Sequence, residues 1–545
     1  MIPALRCLRL VLPLLAAGGL RAAEWTWARD LPDPPTDGGS SRALLWIPPA
    51  APAVRAVVVA SAALAEYRVL EHPRFRAALR EAGFAALWIG AWDRPERFAD
   101  AGLAPRLERL LAELAAASGY FELAHVPVMA FGQADAAVWP WRFARARPDR
   151  TLAVIALNGE WPYGDEKPPA EAIEPALNGI PALVALGEYE WAAERVAFGL
   201  AQRAVHPGIP LTLLGESGGG RFDLAEDKIA YLALYVRKAA AARLPRGPAP
   251  GGAATPSLVY VDATADGWLA DHWRADEPAR VPAAPLAEYA EPDEAFWCFD
   301  EEHAVLTEKF RRLERGRRVA LVGFRQEGQL VPQVAGTPEQ VSLRFPADGA
   351  DTSLVLQPTY LDRVPRGRPE RWTGLPAGAP IGAPGPEAGL SLLRLAGPVE
   401  QTAPDTFSLA YDACHEAGRP AVAWLVALHS GNESYKRGLQ QAAMPVPARR
   451  TEGRSQTIDF PPVSDRRVRD GSMALAATSD AGLPVRFYVA EGPAVVDGAA
   501  LRFTPLPVRA RLPLRVTVVA WQFGRGGAAP VQSALPVART FFVTP

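Results

Sequence analysis

Six residues, Gly132-Gln133-Ala134-Asp135-Ala136-Ala137, have the composition of a tight strand-to-helix corner. An apolar run at 126–130 leads into them, and a helix-like stretch at 136–145 leads out. Such a corner can hold an acyl-transfer nucleophile clear of its own backbone, but only if its neighbours are small. Gly132, Ala136 and Ala137 keep the small positions, and Ala134 stands where the nucleophile belongs. A methyl group cannot attack a carbonyl, so covalent acyl transfer by this route is excluded. Asp135 falls one position later, where the backbone N–H of an oxyanion hole belongs. The second donor of such a hole is expected from Ser61-Ala62-Ala63.

The partners of a nucleophile are an acid and a base. Gly187-Glu188-Tyr189-Glu190 follows an apolar strand at 182–186. Glu188 is the expected acid and Glu190 the alternate, while a solvated loop carboxylate is an equally available reading. The last apolar strand, 210–214, runs into Gly218-Gly219-Gly220-Arg221-Phe222-Asp223. Arg221 lies in that glycine-rich turn, and a guanidinium cannot take a proton near neutral pH. Ser217 is the alternative nucleophile, because Gly215-Glu216-Ser217-Gly218-Gly219 matches Gly-x-Ser-x-Gly literally. Three glycines follow it, which disfavours a helix there. Its acid and base would have to come from Asp262 and His272.

These positions are set by an alternation of strands and helices. Apolar runs at 43–47, 56–60, 85–89, 126–130, 151–156, 182–186 and 210–214 read as strands. Helical spacing recurs at 73–82, 103–117, 136–145 and 225–243. Continuous apolar strands separated by helices imply a mostly parallel sheet covered on both faces, with its ligand ground beyond the carboxyl ends of the strands.

The chain has 545 residues, 49% of them hydrophobic and 22% charged. That length is too great for one core. The expected division is a signal peptide at 1–23, an α/β domain at 24–245, a linker at 246–256, a β-rich middle domain at 257–453 and a β-sandwich at 454–545. The signal reading rests on Arg6 and Arg9 before a short apolar stretch and Ala22-Ala23, and it implies secretion or a periplasmic place. No later stretch is long and apolar enough to be a transmembrane span.

A net charge of -2 gives no electrostatic case for nucleic acid. No cofactor or metal motif stands out, since the chain lacks Cys-x-x-Cys and cysteine–histidine spacing. Asp300-Glu301-Glu302-His303 reads as the acidic first turn of a helix running through Phe310. Cys298 and Cys414 are the two cysteines beyond the signal, and the sequence leaves open whether they pair.

Residues 43–245 resemble the α/β-hydrolase superfamily, its esterases and lipases in particular, through the strand order, the 132–137 corner and the terminal helix. The resemblance implies a Ser–acid–His triad at Ala134, Glu188 and Arg221, degenerate at the first and last. Residues 455–543 resemble the Ig-like modules of bacterial surface proteins, through Gln456-Thr457-Ile458-Asp459-Phe460, Gly482-Leu483-Pro484-Val485 and Val516-Thr517-Val518-Val519-Ala520. That likeness implies a spacer or adhesive sandwich. The combined expectation is a non-catalytic binding or scaffold protein for a polymer or cell-surface ligand. The competing one is an active carboxylic-ester hydrolase using Ser217.

Overall fold

The computed structural model describes residues 25–31, 42–61, 64–90, 102–162, 175–190, 192–246, 256–274, 276–312, 314–334, 340–346, 352–385 and 389–545. The signal-like stretch, the oxyanion-loop residues Ala62 and Ala63, and nearly all of the linker lie outside these.

The first part folds as β1 (Trp27–Asp30), β2 (Arg42–Trp46), β3 (Ala56–Ser61), α1 (Leu64–Glu71), α2 (Pro73–Ala82), β4 (Phe84–Ile89) and α3 (Leu103–Ser118). It continues through β5 (Val128–Gln133), α4 (Val138–Ala146), β6 (Thr151–Leu157), β7 (Ala182–Gly187), α5 (Ala192–Val205), β8 (Leu211–Glu216) and α6 (Glu226–Arg243). The strands form one sheet in the order β1-β2-β4-β3-β5-β6-β7-β8. β1 and β2 run antiparallel to their neighbours, and every later pairing is parallel. This is a mixed and mostly parallel sheet with helices on both faces.

Local chemistry explains why these segments form. Every residue of β3 is buried, as a strand covered on both faces requires. α2 begins with Pro73 in its first turn, and His72 accepts a hydrogen bond from the Arg74 N–H. It ends at Gly83, whose φ of 72° suits a residue without a side chain. Sequence reasoning placed that helix residue for residue. It missed β1, α1 and α5. In β1 two charged residues follow two apolar ones, which hides the pattern of an edge strand. In α1 a fully buried Glu66 interrupts the apolar stripe.

Residues 256–312 wrap the β8 edge. The strands Trp268–Asp271, Ala284–Pro285 and Ala295–Cys298 form a small sheet, followed by α7 (Glu301–Arg312). The Thr212 hydroxyl of β8 donates to the Trp297 carbonyl at 2.7 Å. Phe296 stacks on Trp161 at 5.6 Å. The acidic stretch is the first turn of α7, as its sequence suggested.

His303 of α7 is buried among Tyr231, Tyr235 and Phe299. Its Nε2 meets the Tyr231 hydroxyl at 2.9 Å, and its Nδ1 accepts from the Phe299 N–H at 3.3 Å. Burial pushes its pKa down from 6.5 to about 3. The unfolded chain therefore takes up a proton, as pH falls below 6.5, that the folded chain refuses until about 3. Stability is lost across that window, by at most about 5 kcal/mol from this group. Urea unfolding over this pH range should show the slope, and His303→Gln should flatten it.

Residues 318–446 form two further sheets. One has five strands, Gln329–Leu330, Val322–Gln326, Ser353–Tyr360, Thr406–Leu409 and Val399–Ala403. The other has four, Gln340–Ser342, Gly438–Val446, Ala421–His429 and Leu390–Ala396. Phe324, Leu356, Phe407, Leu425 and Ala442 share the core between them. A short helix, α8 (Arg368–Thr373), follows the strand Ser353–Tyr360.

Beyond residue 454 come a four-stranded, a three-stranded and a two-stranded sheet. Leu514, Val516 and Val518 alternate along one strand toward the first part, and share a core with Trp27, Leu45 and Leu107. Arg509 pairs with Glu122 at 3.0 Å across that junction. The C-terminal part is thus seated on the α3 side of the molecule.

Cys298 and Cys414 are both buried and unpaired. No helix among the described residues is long and apolar enough to cross a membrane.

Candidate functional site

The corner after β5 has the geometry its composition suggested. Ala134 has a φ of 50°. A non-glycine residue in that left-handed region costs about 1–2 kcal/mol, and such strain persists only where the surroundings impose it. The surroundings are tight. A Cβ on Gly132 would lie 2.3 Å from the Ala136 carbonyl oxygen, and one on Gly159 would lie 2.0 Å from the Ala137 Cβ. The small residues at 132, 137 and 159 are therefore required by close approach. Asp135 is exposed.

Gln133 ties the corner to its neighbours. Its amide nitrogen donates to the Arg221 carbonyl, and its amide oxygen accepts from the Ala65 N–H of α1 at 3.2 Å. The loops after β7 and β8 also touch. A Cβ on Gly187 would meet the Gly219 carbonyl at 2.5 Å, and the Tyr189 N–H donates to that same oxygen at 3.0 Å. Corner, acid loop and glycine-rich loop are thus brought together at the carboxyl ends of the strands.

Their side chains pair differently from a proton relay. Glu188 accepts from the Gly218 N–H at 2.7 Å, and its other oxygen meets the Lys436 ammonium at 2.7 Å. Lys436 is 1% exposed and also reaches Asp276 at 2.8 Å. Burial works against its charge, but Glu188 and Asp276 outweigh that and raise its pKa. Arg221 faces the alternate acid instead, with its Nε 3.4 Å from Glu190. Glu190 is buried and lies 3.6 Å from Arg368 on its other side. The structure joins Arg221 to Glu190 and gives Glu188 to a lysine far along the chain.

Ser217 is buried in the turn after β8. His272 meets the Glu294 carboxylate and the Trp273 carbonyl, and Asp262 accepts from Thr264. Among the described residues none of Ser217, His272 and Asp262 hydrogen-bonds another. Among them also, no group of three histidine, cysteine or acidic side chains is placed to hold a metal ion.

Three polar side chains lie around the corner: Ser61, expected as part of the oxyanion loop, and Glu66 and Asn158, which sequence reasoning missed. The Ser61 hydroxyl and both amide atoms of Asn158 are buried without a hydrogen-bond partner among the described residues, and the Glu66 carboxyl is buried with them. Ser61 stands one residue beyond the Ala60–Phe131 pair of the sheet, next to the corner strand. Burial raises the Glu66 pKa well above the usual range, against a smaller pull from the Glu66 and Gln133 backbone N–H groups. Asn158 ends β6 with a φ of 48°. Its one visible signal was the turn-forming pair Asn158-Gly159.

The ground above β7 and β8 is held by the chain itself. The Trp372 indole N–H of α8 donates to the Tyr189 carbonyl at 3.1 Å, and the two rings lie 4.9 Å apart. Trp424 packs on Phe222 at 5.7 Å. Arg437 sits among Asp223 at 3.3 Å, Asp227 at 3.6 Å and Glu314 at 3.9 Å. Below it, Glu216 pairs with Lys228 at 2.7 Å, both essentially without exposure. Burial raises the Glu216 pKa even beside that lysine.

None of the known family models matches this chain, and no curated protein matches it. Among solved structures it is similar to esterase PE8, at 16% identity and a TM-score of 0.25, over 36% of this chain and 96% of that one. It is similar to a dienelactone hydrolase from Anabaena variabilis, at 18% identity and a TM-score of 0.23, over 36% of this chain and 89% of that one. An S-formylglutathione hydrolase from Agrobacterium tumefaciens is similar at 10% identity and a TM-score of 0.28, over 39% of this chain and 93% of that one.

Proposed function

We propose that this chain is an exported α/β-hydrolase-fold protein without serine-hydrolase chemistry, serving as a binding or scaffold protein. Ala134, Glu188 and Arg221 are its triad-equivalent positions. The observation that carries the reading is the left-handed φ of 50° at Ala134, at a corner too crowded for larger neighbours. The backbone keeps the strained seat of a nucleophile, and a methyl group occupies it. The pairing of Glu188 with Lys436 and of Arg221 with Glu190 supports the same reading, because each acid is held by a cation where a triad would need a histidine base. Trp372, Trp424 and Lys436 settle on the strand ends where a substrate would lie, which suits a scaffold more than a turnover site.

A fluorophosphonate probe tests this on the full chain. No labelling is expected, and no hydrolysis of a short aryl ester. The double variant Ala134→Ser with Arg221→His should acquire slow labelling at residue 134. Labelling of the unaltered chain that disappears in Ser217→Ala would overturn the proposal in favour of an active ester hydrolase.

A further inference from the structure

A cavity of about 260 Å3 lies between β1, the end of α3 and the C-terminal sheet. It is remote from the 132–137 corner, and its chemistry does not depend on whether that corner turns over a substrate. Trp27, Leu512 and Leu514 line it together with Arg29, Arg511, Arg515 and Glu491. Its position follows from the fold. Trp27 and Arg29 project from the same face of β1, because side chains alternate along a strand. That face packs on the C-terminal sheet, with Trp27 in their shared core.

The charges do not balance. Glu491 is the one carboxylate of the lining, and it is fully used. One of its oxygens accepts from the Arg515 Nε at 2.8 Å and pairs with its terminal nitrogen at 2.6 Å. The other accepts from the Ala28 N–H at 3.4 Å. Among the described residues, Arg29 reaches only the Ala28 carbonyl at 3.4 Å, and the Arg511 guanidinium only the Ala116 carbonyl at 3.5 Å. Neither meets a carboxylate there. Among the described residues, half-buried Arg29 and exposed Arg511 thus line one cleft with long, neutral contacts and no carboxylate partner. Like charges gathered in this way repel, and the field they focus attracts an anion.

We propose that this cleft binds a small organic anion, with a carboxylate between Arg29 and Arg511 and an apolar body against Trp27, Leu512 and Leu514. The planar fork of arginine matches a carboxylate in two-point contact. The apolar lining would be wasted on a bare inorganic ion. The volume suits a ligand the size of a substituted aromatic acid rather than a polymer segment.

Titration calorimetry of the full chain, with benzoate, benzamide and inorganic phosphate as probes, tests the assignment. Benzoate should bind and weaken with added salt, and benzamide should not bind. Phosphate should bind more weakly than benzoate. Arg29→Gln and Arg511→Gln should each reduce benzoate affinity by about tenfold, as loss of a charge-assisted hydrogen bond predicts. Thermal melts matching the unaltered chain would show that the variants fold. The proposal fails if benzamide binds as well as benzoate, or if the double variant binds benzoate unchanged. It fails equally if phosphate binds as tightly as benzoate, or if the intact chain binds neither anion.

Discussion

Lys228→Met should lower the unfolding free energy by about 3 kcal/mol near neutral pH, measured by urea denaturation. The lysine is 1% exposed and Glu216 not at all, so the substitution strands a carboxylate in the interior. Breaking a buried pair on one side costs about 3–5 kcal/mol in general. The lower end applies because Arg437 remains 4.0 Å from Glu216. The variant should also acquire a pH dependence of known sign. Burial already raises the Glu216 pKa, and loss of Lys228, which lowers it, raises it further. A raised folded value means that the folded chain holds a proton the unfolded chain has released, so stability rises as pH falls through that value. The penalty should therefore shrink in mild acid. Lys228→Met combined with Glu216→Leu should recover most of the loss, because no unpaired charge is left. A single variant as stable as the original chain would mean that Glu216 and Lys228 are solvated and that the packing over β8 is loose.

The second large effect concerns the corner. Gly132→Ala should cost about 3 kcal/mol or more, at the upper end of overpacking penalties. The added Cβ would stand 2.3 Å from the Ala136 carbonyl oxygen and 2.8 Å from the Ala137 Cα. Both are backbone atoms of the turn itself, and no rotamer change can move them. Ala134→Gly is the informative companion. At a φ of 50° a glycine escapes the left-handed penalty, so this variant should be neutral or stabilising by up to about 1 kcal/mol. Thermal and urea unfolding of the two variants together read out the corner. A Gly132→Ala chain within about 1 kcal/mol of the original would show that the turn is relaxed, and the case for a vacated nucleophile seat would weaken with it.

Much of the first part was legible because its signals are local. The runs at 56–60 and 182–186 are apolar throughout, and only a strand covered on both sides tolerates that. The helix at 73–82 carries its own start in His72-Pro73 and its own stop in Gly83. Past residue 256 the signals thin. The strand Ser353–Tyr360 has only a short apolar alternation, cut by Pro358, so its local signal is weak. The pair Arg466–Arg467 is polar and joins its sheet only through a parallel partner near the C-terminus. α8 has a single fully buried residue and is held through Trp372, whose partner Tyr189 belongs to the first part of the chain.

The same division runs through the candidate site. That Ala134 cannot attack and that Arg221 cannot serve as a base follow from side-chain identity once the corner is found, and no coordinate changes that chemistry. Which charges meet was decided in three dimensions. Glu188 finds Lys436 and Arg221 finds Glu190 because the segments bearing Lys436 and Trp372 settle on the ends of β7 and β8. Partners of a buried charge are selected by proximity and desolvation, which depend on the whole packed arrangement and leave no periodic trace in the chain. The unpaired guanidiniums of Arg29 and Arg511 were likewise invisible, since they come from opposite ends of the sequence and share a cleft only after the C-terminal sheet docks.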